Sequence, residues 1–208
     1  LWHPKDVNTT YVAATRLFHY GSISLIGEPS RSATLTALHY ARQAGALISY
    51  DPNLRLPLWP SVEAAKQGLL DGWQHAHIIK ASQEELTFLS GESDMNRGAQ
   101  RLWHEGLRLL VITQGPQGCT YFTQESSHHL PGFAVQAVDT TGAGDGFVAG
   151  LLGGLLDAGF SLTHMPERDT LNAIMRLANA VGALTTTQRG AIPALPTAAQ
   201  VHEFLNHL

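Results

Sequence analysis

The chain has 208 residues, of which 44% are hydrophobic and 14% charged, and its formal net charge is −4. These proportions are those of a globular protein long enough to bury a core, and the mild acidity gives no reason to expect nucleic acid or an anionic membrane as a partner. No apolar run approaches the roughly 20 residues of a membrane span. The single cysteine, Cys119, excludes an internal disulfide and is typical of a reducing compartment, so we expect a cytoplasmic protein.

Short apolar runs alternate with helical patterns through the first half of the chain. Four of these runs are typical of strands buried on both faces of a sheet: 17–24, 46–50, 78–79 and 109–113. The helical segments between them have suitable N-caps in Ser61, Ser82 and Asp94. The alternation predicts βαβ units, and therefore an α/β fold with a mostly parallel sheet. Ligands of such sheets bind beyond the carboxyl ends of the strands.

The pattern changes after Gly118. Residues 119–122 and 128–133 predict short antiparallel strands, which lead into an alternating, strand-like segment at 133–138. Apolar helical spacing follows at 147–156 and again from Glu167, and Thr197 is placed to cap a last helix. Because no repeat or linker interrupts the chain, we expect a single domain over residues 1–208.

The turn before the helix at 147–156 consists almost wholly of small residues. Gly142, Ala143 and Gly144 carry little or no side chain, and the opening helix adds unpaired N–H groups and the positive end of its dipole. These features favour a phosphate-binding site. Asp145, in the first turn, could accept a proton from a hydroxyl that is being phosphorylated. The alternative is a tightly packed turn in which Asp145 is only a favourable first-turn acid.

Other common site motifs are absent from the sequence. There is no Gly-Lys pair for a Walker loop, and Phe147 replaces the third glycine of a dinucleotide-binding motif. The histidines do not form an H-E-x-x-H zinc motif, and there is no G-x-S-x-G of a serine hydrolase. The glycine-rich turn is therefore not a general nucleotide loop.

Residues 139–152, with the pattern D-T-x-G-A-G-D-x-x-x-A-G-L-L, resemble the C-terminal signature of the ribokinase-like (PfkB) sugar kinases. The resemblance implies a three-layer α/β/α fold with Asp145 as the catalytic base. It also implies that the backbone amides of Gly142, Ala143 and Gly144 form the anion hole. Three further segments are most similar to the fructokinases of this family: 50–59, 137–141 and 189–196. The implied reaction moves the γ-phosphoryl of ATP, bound with Mg²⁺, to the primary hydroxyl of fructose.

The resemblance assigns roles to two segments that follow strands. Residues 51–55 match a D-P-N-x-R element, so Asp51 and Asn53 are expected near the sugar and Arg55 near the transferring phosphoryl group. On the residues alone, this segment is equally typical of a structural turn. Lys80 is expected near the nucleotide phosphates, and Glu85 matches the acid of an N-x-x-E element that organises water bound to magnesium. Ser82 stands where that element has Asn, and Ser82 with Glu85 also forms a capping box.

Two further segments are implied to bind the nucleotide. The first matches a T-x-G-x-x-G nucleotide loop and contributes Thr113, Gln114, Gly115 and Gly118. The second is the helix that walls the adenine pocket and contributes Asn172, Asn179 and Gly182. The alternatives are a glycine-proline turn for the first segment and a polar helix face with small residues for the second.

The resemblance also implies a monovalent cation site, with K⁺ held by carbonyl groups from Asp139, Thr141, Thr185 and Gly190. It begins only at residues 19–25, so the family's N-terminal strands, Gly-Gly-Asn sugar-binding stretch and β lid have no counterpart here. We therefore expect these 208 residues alone to be weakly active or inactive. The alternatives are an aminoimidazole riboside or 2-keto-3-deoxygluconate kinase, or a non-catalytic nucleotide-binding remnant. A homodimer is compatible with the sequence.

Overall fold

The computed structural model describes residues 2–207 and shows an α/β protein with six strands. The strands are hydrogen-bonded in chain order: β1 Leu17–Gly21, β2 Leu47–Asp51, β3 Ile78–Ser82, β4 Leu109–Thr113, β5 Cys119–Phe122 and β6 Ser127–Leu130. The first three strands are parallel. The helices are α1 Thr9–Ala13, α2 Ser30–Gln43, α3 Val62–Trp73, α4 Gln83–Ser90, α5 Met95–Leu102, α6 Ala143–Asp157, α7 Arg168–Thr185 and α8 Ala198–Asn206. The predicted fold class is confirmed.

The chain forms two compact units. The first contains the residues up to Ile112 together with Tyr121–Ser126, and the second contains Thr113–Thr120 and the residues from Ser127 onward. The core of the first unit is built on β2, whose five residues are all buried, and includes Tyr50 and Trp73 at 0% exposure. A strand covered on both faces needs apolar residues in succession, which is why this run could be recognised in the sequence.

The predicted helix caps are confirmed by their hydrogen bonds. Ser61, Ser82, Asp94 and Thr197 each accept a backbone N–H from the first turn of α3, α4, α5 and α8, respectively. These side chains satisfy N–H groups that have no partner inside the helix. The caps Ser61, Ser82 and Asp94 lie in the first unit, where they set the residue at which α3, α4 and α5 begin.

One strand prediction extends too far, and another is wrong. The first run ends at Gly21, and Ser22–Leu25 form a 3₁₀ turn in which the Ser24 hydroxyl donates to the carbonyl of Gly21 at 3.2 Å. Residues 131–138 are irregular rather than a strand. Pro131 has no N–H to offer a neighbouring strand, and the N–H of Gly132 donates instead to the carbonyl of Gln117 at 3.2 Å.

Helices α6 and α7 of the second unit approach each other through small residues. A Cβ at Gly150 would lie 2.9 Å from the Cα of Ala178, and one at Gly146 would lie 2.5 Å from the hydroxyl oxygen of Thr185. The two glycines are four residues apart and so lie on one face of α6. This close packing fixes the start of α6, where the predicted base is found. None of the helices in residues 2–207 is long and apolar enough to cross a membrane.

His77 is a buried titratable group at the start of β3. Its Nδ1 accepts the N–H of Ile48 at 3.0 Å, and its own backbone N–H donates to the carbonyl of Ile48 at 2.8 Å. Burial, reinforced by the positive charges of Arg42, His104 and Arg108, lowers the pKa of His77 to about 4. The ring is therefore neutral in the folded protein at pH values where an unfolded chain would bind a proton.

We expect the free energy of unfolding to fall by roughly 1–2 kcal/mol through His77 as the pH drops from about 7 to about 4. Between the ordinary pKa of 6.5 and the folded value of about 4, only the unfolded state takes up the proton, so stability is lost on acidification. Urea unfolding at several pH values measures the effect. His75 and His104 also have lowered pKa values, so they contribute to the same pH dependence. Comparing His77→Asn with the wild type isolates the contribution of His77. The variant keeps an acceptor for Ile48, and an unchanged pH slope in it would contradict this assignment.

Candidate active site

The second unit contains a cavity of about 500 Å³. Its lining comes from four places: the loop at 113–118, the irregular segment at 132–137, the start of α6, and α7. The lining is mainly apolar and includes Pro116, Phe133, Val135, Phe147 and Ala183. Its size falls within the range of small-ligand pockets, which hold about 300–1,000 Å³.

The start of α6 presents free backbone donors at this cavity. Gly142 caps the helix with a φ of +82°, and a Cβ there would lie 3.0 Å from the Cα of Ala191, so both backbone and space require glycine. Of the three amides predicted for the anion hole, that of Ala143 donates to the carbonyl of Thr140 at 3.2 Å, whereas those of Gly142 and Gly144, and also that of Asp145, have no acceptor among the described residues. Ala143 and Gly144 line the cavity, and the Asp145 side chain is exposed in the first turn. The arrangement places donors for an anion next to a carboxylate.

The loop at 113–118 forms a second wall. Gly118 has a φ of +98° and a ψ of −134°, and a Cβ there would lie 2.1 Å from the carbonyl oxygen of Leu130. Thr113, Gly115 and Gly118 line the cavity, as the sequence predicts for nucleotide-binding residues. Gln114 is not part of the lining, and its side-chain oxygen accepts the hydroxyl of Thr120 at 3.0 Å.

Helix α7 contributes two of its three predicted residues. Asn179 and Gly182 line the cavity, whereas Asn172, two turns earlier, does not. The side-chain amide of Asn179 donates to the carbonyls of Leu130 at 3.3 Å and Pro131 at 3.1 Å. Both N–H donors of the Asn179 side chain are therefore bonded to backbone carbonyls of the protein.

Asp139 links the loop before α6 to the loop after α7. Its carboxylate accepts the N–H of Thr141 at 2.9 Å and that of Gly190 at 3.0 Å, and these hydrogen bonds lower the pKa of Asp139 to about 2. Thr185 is fully buried, and its hydroxyl donates to the carbonyl of Val181 at 2.8 Å. The structure thus joins the Asp139–Thr141 turn to Gly190, and carbonyl ligation of K⁺ by these residues stays a prediction. Within residues 2–207, no three His, Cys, Asp or Glu side chains are grouped to hold a metal ion.

The remaining predicted residues form a polar cluster in the first unit. Asp51, at the end of β2, pairs with Lys80, near the end of β3, with 3.1 Å between Oδ2 and Nζ, and both side chains are about nine-tenths buried. Burial raises the pKa of Asp51, while the charge of Lys80 opposes this shift. The other Asp51 oxygen accepts the N–H of Asn53 at 3.1 Å. These contacts confirm that the carboxyl ends of two parallel strands bring the motifs together.

Glu85 closes the same cluster. Its two carboxylate oxygens accept the N–H of Leu54 at 2.7 Å and that of Ser82 at 2.8 Å, which anchors the turn after β2 to the start of α4. Arg55 is exposed, and its guanidinium donates to the carbonyl of Leu54 at 3.1 Å. The capping box is therefore present, and a role for Glu85 with magnesium-bound water is not tested by these contacts.

The apolar wall at 132–137 is a part of the site that the local sequence pattern does not reveal. Its alternating residues predict a strand, yet Phe133, Val135 and Ala137 line the cavity from an irregular segment. The useful signal was the Pro131-Gly132 pair, which commonly interrupts a strand. Thr186 was also missed, and it lines the cavity while its carbonyl accepts the N–H groups of Val138 and Asp139.

Residues 1–198 match the pfkB family carbohydrate kinases, and the chain belongs to this family. It is similar to probable fructokinase-4 of Arabidopsis thaliana, with 49% identity over 206 residues that cover 99% of this chain and 62% of that protein. It is also similar to fructokinase-2 of Solanum lycopersicum, with 48% identity over 198 residues that cover 95% of this chain and 60% of that protein.

Solved structures show the same fold. Fructokinase of Xylella fastidiosa with bound ATP has a TM-score of 0.92 and 29% identity, covering 100% of this chain and 66% of that one. Fructokinase of Vibrio cholerae O395, in a form with bound fructose, ADP and calcium ion, has a TM-score of 0.84 and 34% identity, covering 96% and 64%. The ribokinase-like fold expected from the sequence is confirmed. The chain spans less than two thirds of the length of these relatives.

Proposed function

We propose that this protein is an ATP-dependent carbohydrate kinase that transfers the γ-phosphoryl group to a primary hydroxyl of fructose. The observation that carries the proposal is the start of α6, where an exposed carboxylate stands beside N–H groups that have no acceptor in the described part of the chain, at the edge of an apolar cavity. The similarity to fructokinases, including structures with bound ATP or with fructose and ADP, supports the choice of donor and acceptor.

Each part of this arrangement has a chemical role. The N–H groups of Gly144 and Asp145, with the positive end of the α6 dipole, stabilise negative charge on the transferring phosphoryl group. The Asp145 carboxylate accepts the proton of the attacking sugar hydroxyl, which makes it the catalytic base. The apolar lining, with Phe133 and Phe147, receives the nucleobase.

Metal ions act on the phosphate charge in this proposal. Mg²⁺ bound together with ATP would neutralise part of the negative charge of the phosphates. Both carboxylate oxygens of Glu85 already accept a hydrogen bond, so Glu85 would act on the ion only through its water shell. K⁺ would lie at the Asp139–Thr141 turn, where the carbonyl groups of Asp139, Thr141, Thr185 and Gly190 would be its oxygen ligands. Cys119 and the use of ATP fit a cytoplasmic protein.

The proposal is tested by titrating the chain with Mg·ADP, with and without fructose, in a calorimeter. We expect binding of Mg·ADP. Tighter binding in the presence of fructose would place the acceptor in the same protein, and formation of fructose 6-phosphate from Mg·ATP would establish the reaction. Absence of nucleotide binding would contradict the proposal.

A sugar panel tests the acceptor. Aminoimidazole riboside kinase of Salmonella enterica, in complex with aminoimidazole riboside and an ATP analogue, has a TM-score of 0.81 and 32% identity to this chain. Fructose, aminoimidazole riboside and 2-keto-3-deoxygluconate should therefore be compared at equal concentration. We expect the highest kcat/KM with fructose, and a higher value for either of the others would overturn this acceptor assignment.

A further inference from the structure

The cavity wall at residues 133–137 has no main-chain support of its own. Across the described part of the chain, none of its N–H groups has a hydrogen-bond partner. The segment is tied at each end, where Gly132 donates to the carbonyl of Gln117 at 3.2 Å and Val138 donates to that of Thr186 at 2.7 Å. Between these ties, its position depends on side-chain contacts such as the edge-to-face packing of Phe133 on Phe204. A wall held in this way needs a further anchor to keep a defined shape.

Asn179 provides an anchor at the start of this wall. Its side chain, on α7, is 7% exposed, and its amide donates to two successive carbonyls, those of Leu130 and Pro131. A carboxamide has only two N–H hydrogens, so this pair of bonds uses both. If the oxygen and nitrogen of the carboxamide changed places, its oxygen would face two carbonyl oxygens and would be repelled by them. The orientation of the group is therefore fixed.

The contacts of Asn179 leave it no side-chain donor for an acceptor on a nucleobase. Both of its N–H hydrogens point to protein carbonyls. The resemblance to the family suggests a position next to adenine, and the cavity lining agrees with this placement. Its N–H donors, however, are directed to the carbonyls of Leu130 and Pro131 rather than into the cavity.

We propose that Asn179 is a positioning residue. By holding the carbonyls of Leu130 and Pro131 against α7, it fixes the start of the wall at 133–137, so that the apolar lining is in place before the nucleotide binds. The inference rests on the proposed nucleotide-binding function. It assigns the base contact to the wall itself, through Phe133 and Val135, and not to the Asn179 amide. Asn179 therefore contributes to affinity for every purine nucleotide and not to the choice between adenine and guanine.

The test uses Asn179→Asp, which keeps the size of the side chain but replaces its donors with an acceptor that faces two carbonyls. We expect the Kd values of ADP and GDP to rise by a similar factor of at least about tenfold. Asn179→Ala removes the donors without adding a charge and should raise both values less. Asn96→Asp, on the exposed surface of α5, is the matched control for the change in charge and should bind like the wild type.

The only cysteine reports on the wall independently of nucleotide binding. Cys119 is fully buried and directly follows Gly118, whose backbone lies against that of Leu130, Pro131 and Gly132, so we expect opening of the wall to speed its reaction with Ellman's reagent. We expect the thiol to react several-fold faster in Asn179→Asp and Asn179→Ala than in the wild type or Asn96→Asp. Circular dichroism at the assay temperature selects the folded variants, and Asn179→Ala serves if Asn179→Asp does not fold.

Three results would overturn the inference. One is unchanged Kd values in both Asn179 variants, and another is a loss confined to ADP or to GDP, which would mean that Asn179 reads the base. The third is an unchanged thiol rate in both folded variants. If the wild type binds neither nucleotide, the proposed function fails, while the thiol rates still decide whether Asn179 holds the wall.

Discussion

Replacing Asp145 with asparagine is expected to reduce kcat for fructose phosphorylation by about 10²–10⁴-fold, which is the usual contribution of a general base. Asparagine keeps the shape of the side chain but cannot accept the proton of the sugar hydroxyl. The Kd of Mg·ADP should change little, because the N–H groups that face the phosphates belong to the backbone and stay in place. Initial rates of fructose 6-phosphate formation, in whichever length of the protein phosphorylates fructose, measure the loss.

Asp169→Asn is the matched control for this experiment. Asp169 is an exposed acid in the first turn of α7, as Asp145 is in the first turn of α6. Each substitution removes one charge from a helix N-terminus, which changes stability by only about 0.3–1 kcal/mol. Asp169→Asn should keep full activity. If both variants lose activity equally, or if neither does, Asp145 does not act as the base.

Gly118→Ala is expected to lower the free energy of unfolding by more than about 3 kcal/mol, or to prevent folding. The backbone at Gly118, with a φ of +98° and a ψ of −134°, is strained for any residue with a Cβ. The added methyl group would also lie 2.1 Å from the carbonyl oxygen of Leu130 and 2.4 Å from the nitrogen of Gly132. Neither backbone atom can move without displacing the cavity wall.

Gly159→Ala separates the two causes of this loss. Gly159 also has a positive φ, +73°, but a Cβ there would meet no atom within 4 Å. Its substitution should cost about 1–2 kcal/mol from backbone strain alone. Urea unfolding of the two variants and the wild type gives the comparison. Equal losses of unfolding free energy at Gly118 and Gly159 would show that the contact of the added methyl group with Leu130 and Gly132 does not destabilise the protein.

The parts of this protein that could be predicted from sequence have local causes. The strand β2 is a continuous apolar run because it is covered on both faces, and Ser82 and Thr197 cap helices through residues three positions away. The turn before α6 was recognisable because Gly142 requires a positive φ and little space, and its spacing to Asp145 is contained in one short motif.

The parts that escaped prediction depend on contacts distant in the sequence. The segment at 133–138 has the alternation of a strand, but just before it Gly132 is tied to the loop before β5, and Asn179 on α7 holds the carbonyl of Pro131. In the same way, nothing in the sequence around Lys80 showed that its ammonium group would pair with Asp51, because that contact arises only when β2 and β3 lie side by side. A binding role for Lys80 stays a prediction.

The close packing of α6 on α7 limits how this protein could be engineered for heat resistance. Helix α6 contains glycine at five positions, 144, 146, 150, 153 and 154. Exchanging helical glycine for alanine is a standard route to about 0.5–1 kcal/mol of added stability. At 146 and 150, however, the methyl group would collide with α7, and at 154 it would lie 3.0 Å from a side-chain carbon of Ile174, whereas at Gly153 it would meet no atom within 4 Å. A thermostable variant would therefore have to leave Gly146 and Gly150 in place, while Gly153 has room for alanine.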